Sequence, residues 1–305
     1  MAKANPEESL LEHIERLIQV DVGRNMEPLF AAAKGGLEGA ALALAAAKPQ
    51  AVGIITGFFV PQGSPPAAET DGPIGAALLA RAFGLIGIGC RLATDEPCGS
   101  ACAAALEAAE AEAALDIAAP GLPPEAIIAS WRRQGIGFAI AIERCGPAAD
   151  GLPHNMRGLD ISAFTAPLDR LFQAGPWRGI AIGDGGNEIG MGSLPRELIA
   201  RHVAKGELIA CLTPAQHLIV AGVSNWGAYG LLGALAALQR EWRRPLLSSL
   251  DAALDQKILE ATVRSGPAVD GVSLLQELTV DGLPPARHHQ VLRSIRALVE
   301  EENAY

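Results

Sequence analysis

Residues 182–192 read Ile-Gly-Asp-Gly-Gly-Asn-Glu-Ile-Gly-Met-Gly, placing carboxylates at Asp184 and Glu188 and an amide at Asn187 among five glycines. A cluster of glycines loses more chain entropy on folding than other residues would. It is kept where a turn needs unusual dihedrals or where backbone must approach a ligand closely. The apolar run Arg-Gly-Ile-Ala-Ile at 178–182 comes directly before it, and a strand ending in such a turn is where open α/β sheets hold ligands. Asp184 and Glu188 are therefore the first candidates for chemistry, and Gly185, Gly186 and Asn187 for contact with a substrate. No glycine falls three residues after Gly185, so the dinucleotide pattern fails, and Met191 stands where a phosphate-binding loop needs lysine. Carboxylates and amides suit a hard divalent cation instead. The competing reading is a tight turn in which Asp184 or Asn187 caps the next helix, which needs one such residue rather than three.

Other acidic groups stand at the ends of apolar runs. Glu69 and Asp71 belong to a Glu-Thr-Asp-Gly-Pro turn ahead of a helix, where a carboxylate faces the positive end of the helix dipole. A plain cap at Asp71 explains that position equally well. Glu143 and Arg144 follow directly on a strong apolar run, where a charged pair belongs to a site more often than to the surface. Asp150, Asn155 and Arg157 lie in an aperiodic stretch over residues 143–160, and loops of that length are usually functional. Arg144 or Arg157 has the planar fork to hold a substrate carboxylate through two contacts. Asp150 also fits an ordinary turn. Ser224 and Asn225 open a helix, with capping as the alternative to substrate contact. The six histidines show no metalloprotease spacing and the five cysteines form no C-x-x-C pair, so a zinc protease is excluded and the thiols read as small buried hydrophobes.

These residues need a scaffold, and the patterning specifies one. Amphipathic or alanine-rich helical patterns cover 7–20, 28–47, 74–83, 100–114, 124–133, 195–204, 226–240, 250–264 and 285–301. Strand patterns fall at 51–56, 85–90, 115–118, 137–142, 178–182 and 208–212, with a strand or hairpin near 278–280. Such alternation predicts an α/β fold, a mostly parallel sheet sandwiched by helices in a three-layer, Rossmann-like arrangement. No linker divides the 305 residues, so one domain is expected, with a helical segment at 1–48 packed on an α/β core at 49–305.

With 24 basic against 34 acidic residues the net charge is −10, the wrong balance for a nucleic-acid surface. No stretch has the roughly 18 to 20 uncharged apolar residues of a membrane span. The N-terminus does not read as a secretion signal. A cytoplasmic protein with free thiols is expected, and assembly as a homo-oligomer is left open.

Taken together, these segments resemble the D-glutamate cyclase family, specifically its C-terminal domain in stand-alone form. The matching pieces run in family order: Thr56-Gly57-Phe58, the turn from Glu69 to Pro73, Ile142-Glu143-Arg144, Asp150-Gly151, Asn155-Met156-Arg157, Pro167-Leu168-Asp169, Gly183 to Gly192, Ile209 to Cys211, Ala221 to Gly227, Arg264 to Gly266, and Val280 to Pro284. The resemblance implies conversion of D-glutamate to 5-oxo-D-proline with loss of water, by a hydro-lyase with a bound divalent metal. Some family members carry a further domain resembling a hydro-lyase ahead of this one, which this sequence does not contain. Stand-alone relatives look like metal-binding proteins with phosphatase activity.

The residues support such a reaction. Mg²⁺ or Mn²⁺ held by Asp184 and Glu188, joined by Asp71 or Glu69, would polarise the γ-carboxylate of a small acidic amino acid. Arg144 or Arg157 would orient the α-carboxylate, and Glu143 would move the proton. A metal-dependent phosphatase and a non-catalytic binder of acidic metabolites, partnering a separate hydro-lyase domain, are the alternatives.

Overall fold

The computed structural model describes residues 9–302. Eight strands are found: β1 Ala51–Ile55, β2 Phe59–Val60, β3 Ala67–Ala68, β4 Gly89–Asp95, β5 Ala113–Ala118, β6 Ile136–Ile142, β7 Arg178–Gly183 and β8 His217–Val220. The helices are α1 Leu10–Ile18, α2 Glu27–Ala32, α3 Gly36–Ala47, α4 Pro73–Leu85, α5 Gly99–Ala108, α6 Glu125–Arg133, α7 Leu168–Gln173, α8 Arg196–His202, α9 Gly206–Ile209, α10 Ser224–Leu238, α11 Arg240–Ser249, α12 Ala252–Arg264 and α13 Pro285–Glu301. Six strands form one sheet in the order β5-β4-β1-β6-β7-β8, every pairing parallel, while β2 and β3 make a small antiparallel hairpin. Counted along the chain within the large sheet, that order is 3-2-1-4-5-6. It is the doubly wound arrangement whose ligands lie beyond the carboxyl ends of the strands, at the reversal between the first and fourth. Here the reversal falls between β1 and β6.

Alternation along the strands builds two cores. Val52, Ile54, Phe138, Ile140, Ile142, Ile180, Ile182 and Ile219 face a large core with α1, α3, α4, α5 and α10 to α13. Ile55, Ala139, Ala141, Ala181 and Val220 face a second core with α2 and α6 to α9. A sheet buried on both faces reads as nearly continuous apolar runs, which is how the strands were visible in the sequence.

Helix α10 is buried almost throughout and is the pivot of the larger layer. A side chain at Gly227 would put Cβ 2.3 Å from Ile182, and one at Gly233 would put it 2.3 Å from Ile295. These glycines bring the helix close against β7 on one side and α13 on the other, and its N-terminus meets the strand ends.

Several boundaries differ from the sequence reading. The expected helix at 28–47 is two helices, broken where Gly36 passes so close to the Leu218 carbonyl that a Cβ would overlap it. The strand expected at 85–90 lies at Gly89–Asp95 instead. Its polar residues hid it, but Arg91 is paired at 2.8 Å with Asp116 of the neighbouring edge strand. The run at 208–212 ends the helical turn α9, and the strand is β8, because short apolar runs do not distinguish the two states. Near 278–280 there is one isolated bridge, Val280 with Leu283. The helix expected over 7–20 is Leu10–Ile18, opened by a capping box between Ser9 and Glu12, and residues 7 and 8 lie outside the described residues. No helix among the described residues is long and apolar enough to cross a membrane.

Candidate functional site

At the strand reversal lies a cleft of about 290 Å³ lined by Arg24, Phe58, Val60, Glu69, Glu143, Asn155, Met156, Arg157, Asp184, Ala204, Gly271, Val272 and Asp281. Each charged group arrives from a different piece of chain. Glu143 follows β6 with φ +42°, a left-handed conformation that is uncommon outside glycine and clusters at functional sites. Its neighbour across the cleft wall is Gly72, where a Cβ would sit 2.9 Å from Glu143 Cβ and 2.6 Å from Thr56 Oγ1. Only glycine lets the Glu69–Pro73 turn lie this close.

The N-terminus of α10 organises the acids behind the cleft. Asp71 accepts from the backbone N–H groups of Ser224 (2.8 Å), Asn225 (2.9 Å) and Gly72 (3.0 Å), and Asp184 accepts from Ser224 N–H at 3.0 Å. Both carboxylates thus satisfy helix-end donors that have no intrahelical partner. The Ser224 hydroxyl donates to Glu143 Oε2 at 2.6 Å. The Asn225 side-chain oxygen accepts from Gly72 and Gly75 at 3.1 and 2.8 Å, binding the start of α4 to the start of α10.

Among the described residues, Arg24 is the guanidinium paired with these acids. Arg24, from the loop between α1 and α2, bonds Asp184 at 2.5 Å and Asp281 at 2.7 Å. Asp21 shapes that loop by accepting from the N–H groups of Gly23, Arg24 and Met26, each at 3.1 Å. Burial disfavours the Arg24 charge, but Asp184, Asp281, Glu143 and Asp71 outweigh it and hold the group well above its usual pKa. One cation does not neutralise so many acids. Burial, then the neighbouring carboxylates, pushes Glu69, Asp71 and Glu143 well above the carboxylate range. Asp184 is raised by burial, against Arg24. For Asp281, burial opposed by Arg24 and reinforced by Asp184 raises the pKa to about 7. Groups shifted this way in a cleft mark a functional site.

The structure corrects the placement of several expected residues. Arg144 does not reach the cleft. The left-handed turn at Glu143 ends β6, and Arg144 beyond it turns away from the cleft and forks onto Asp95, with Nη2 at 2.8 Å from Oδ1, and onto the carbonyls of Gly57 and Ala166. Asp150 is a surface residue holding His154 at 2.8 Å. Glu188 lies beneath the glycine turn, accepting from the N–H groups of Asp184 (3.0 Å), Gly185 (2.6 Å) and Gly186 (2.7 Å). Gly185 and Gly186 therefore point their donors at Glu188 and not at a ligand. Asn187 donates to the His154 carbonyl at 2.8 Å, and Asn225 serves the helix junction, so both amides act on the scaffold. Asn155 and Arg157 do line the cleft, with Arg157 bonded to the Gly271 and Val272 carbonyls. The proposed metal set also regroups. Carboxylate oxygens of Asp71, Asp184 and Asp281 gather within 4.8 Å, as do those of Glu143, Asp184 and Glu188, while Glu69 joins neither group.

Arg24 and Asp281 escaped the sequence reading. Arg24 sits between two N-terminal helices, away from any strand pattern, and its one signal was the glycine beside it. Asp281 directly follows the strand or hairpin expected near 278–280 and lies in the matching piece Val280 to Pro284, but a lone acid in a Val-Asp-Gly turn reads as an ordinary turn residue.

A doubly wound parallel sheet with a crowded acidic cleft at its reversal point makes this an open-sheet α/β protein. The chain belongs to the family described as D-glutamate cyclase-like, C-terminal, which matches residues 14–296. It is 31% identical to the human mitochondrial D-glutamate cyclase, over 96% of this chain and 52% of that protein. The chain thus spans about half the length of the curated relative it matches.

Proposed function

We propose that the cleft binds D-glutamate and closes it to 5-oxo-D-proline with loss of water. The observation that carries this reading is the group of buried acids around Arg24, their pKa values raised by burial and by one another, with Arg157 at the rim, in a cleft sized for a small amino acid. In the reaction the α-nitrogen attacks the γ-carboxyl carbon, a C–N bond forms, and one γ-oxygen departs. Two protons leave the ammonium group and both end on that oxygen as water. A carboxyl whose proton affinity is raised suits this transfer, because it can give one proton to the departing oxygen and take one from nitrogen. Glu143 fits the role, with its carboxyl oriented by the Ser224 hydroxyl. The remaining Arg157 N–H donors are available to a substrate α-carboxylate. Holding the amine over its own γ-carboxyl supplies the proximity advantage of intramolecular attack, up to about 7–11 kcal/mol in well-oriented cases.

A divalent ion such as Mg²⁺ or Mn²⁺ fits the donor set. The grouped atoms of Asp71, Asp184 and Asp281 are all carboxylate oxygens, and Asp281 Oδ2 is buried without a partner. Those three residues would hold the ion, which would act as a Lewis acid toward the γ-carboxylate. The half-length match to the curated relative supports a second reading, in which the chain binds an acidic metabolite and another domain performs the chemistry.

The test is to incubate purified protein with D-glutamate, L-glutamate or a phosphate monoester, with and without chelator, and to quantify each product. The expected result is 5-oxo-D-proline from the D-isomer, lost in Asp184→Asn. Binding of D-glutamate without product selects the non-catalytic reading, and phosphate release selects a phosphatase.

A further inference from the structure

Among the acids of the cleft, Glu69 stands apart because no described group hydrogen-bonds its carboxyl oxygens. Asp184 and Asp281 share Arg24, Asp71 accepts three backbone N–H groups, Glu143 accepts the Ser224 hydroxyl, and Glu188 fills the glycine turn. The Glu69 carboxylate accepts no hydrogen bond from the described residues; its Oε1 is wholly buried and the residue is 7% exposed, yet the side chain lines the cleft. Its backbone is pinned, with Glu69 N–H donating to the Phe58 carbonyl and Thr70 N–H to the Val269 carbonyl, both at 2.9 Å. On its outer side Gly271 closes in, where a Cβ would come within 2.3 Å of Glu69 Oε2. The carboxylate is walled against the cleft rather than left to swing into water.

A buried acceptor with no donor is a standing penalty, and one held at the wall of a ligand cleft is answered by a ligand that brings the donor. The complement of a lone carboxylate is a cationic donor, and a cleft of about 290 Å³ admits a small one. A primary ammonium group meets the need with three N–H donors and a positive charge, which also offsets the neighbouring acids. The residue that walls Glu69 in also positions a cation: the Gly271 carbonyl accepts from Arg157 Nη2 at 3.2 Å. A carboxylate and a guanidinium therefore flank one glycine, which is the charge pattern of an α-amino acid zwitterion.

Building on the reading of the cleft as an amino-acid site, we propose that Glu69 is its ammonium-binding residue and that, with Arg157, it selects α-amino acids over dicarboxylates lacking the amine. The test is calorimetric titration of wild type and Glu69→Gln with D-glutamate and with glutarate, which keeps both carboxylates but has no amine. Wild type should bind D-glutamate roughly tenfold or more tightly than glutarate. Glu69→Gln should erase that preference by weakening D-glutamate while leaving glutarate as tight or tighter. Glu69→Asp, which retracts the charge by one methylene, should rank between them and serves as the second variant if Gln disturbs folding. A wild-type preference that survives in Glu69→Gln overturns this assignment alone, as does equal wild-type affinity for the two ligands. Failure of wild type to bind D-glutamate at all overturns both the assignment and the function it rests on.

Discussion

Replacing Asp281 with Asn should flatten the pH dependence of stability, and the size of the effect follows from where Asp281 sits. Its Oδ1 meets Arg24 at 2.7 Å and its Oδ2 is buried without a partner. Burial, opposed by Arg24 and reinforced by Asp184, carries its pKa to about 7, against about 3.9 for an unfolded aspartate. The folded protein thus holds this proton more tightly than the unfolded chain does. The contribution is fully present below about pH 4 and is lost as pH rises through about 7. At about 1.4 kcal/mol per unit the whole shift corresponds to on the order of 4 kcal/mol, of which about 3 kcal/mol is lost between about pH 5 and pH 8. Asparagine keeps the shape and an acceptor for Arg24 but does not titrate. Glu69 and Asp71 owe part of their own rise to the Asp281 charge, so their shifts shrink in the variant and flatten its profile further, while Glu143 is raised by burial and other acids in both proteins. Urea unfolding of wild type and variant near pH 5 and pH 8 measures the difference: the variant should gain on wild type by about 3 kcal/mol from the first condition to the second. Parallel profiles would refute the assignment of this proton to Asp281.

Two further substitutions separate the cleft from its scaffold. Arg24→Ala leaves Asp184 and Asp281 facing each other without a cation, so unfolding free energy at neutral pH should fall by about 3–5 kcal/mol. The loss should shrink in acid, where both groups can take up protons, and a pH-independent loss in denaturant titrations would count against an electrostatic role. Arg144→Ala strands Asp95 and two carbonyls behind the sheet and should also cost about 3–5 kcal/mol. Its effect should appear as a lower melting temperature rather than as weaker D-glutamate binding, measured where the variant is still folded.

The strand run into the Asp184 turn could be read directly, because a parallel strand buried on both faces is continuous apolar sequence and its exit is marked by glycine and acid; the Glu69–Asp71 turn was legible from its acids and the Gly-Pro that opens a helix, although it leaves the antiparallel hairpin. What adjacency in sequence obscured was direction. Glu143 and Arg144 are neighbours, yet the left-handed turn at Glu143, just past the end of β6, leaves one in the cleft and the other on Asp95. Glu188 is an acid in a glycine turn, and at that spacing its oxygens fold back onto the N–H groups of the turn itself while still lying within 4.8 Å of carboxylate oxygens of Glu143 and Asp184.

Local pattern alone, then, determined an α/β architecture and the chemical character of its strand ends, since hydrophobic periodicity and turn residues act over a few positions. Tertiary structure decided which charges meet. The loop carrying Arg24 and the turn carrying Asp281 lie at opposite ends of the chain and come together only when α1 and α13 pack on α10. Charge interactions depend on separation in space and on burial, and neither is written in residue order.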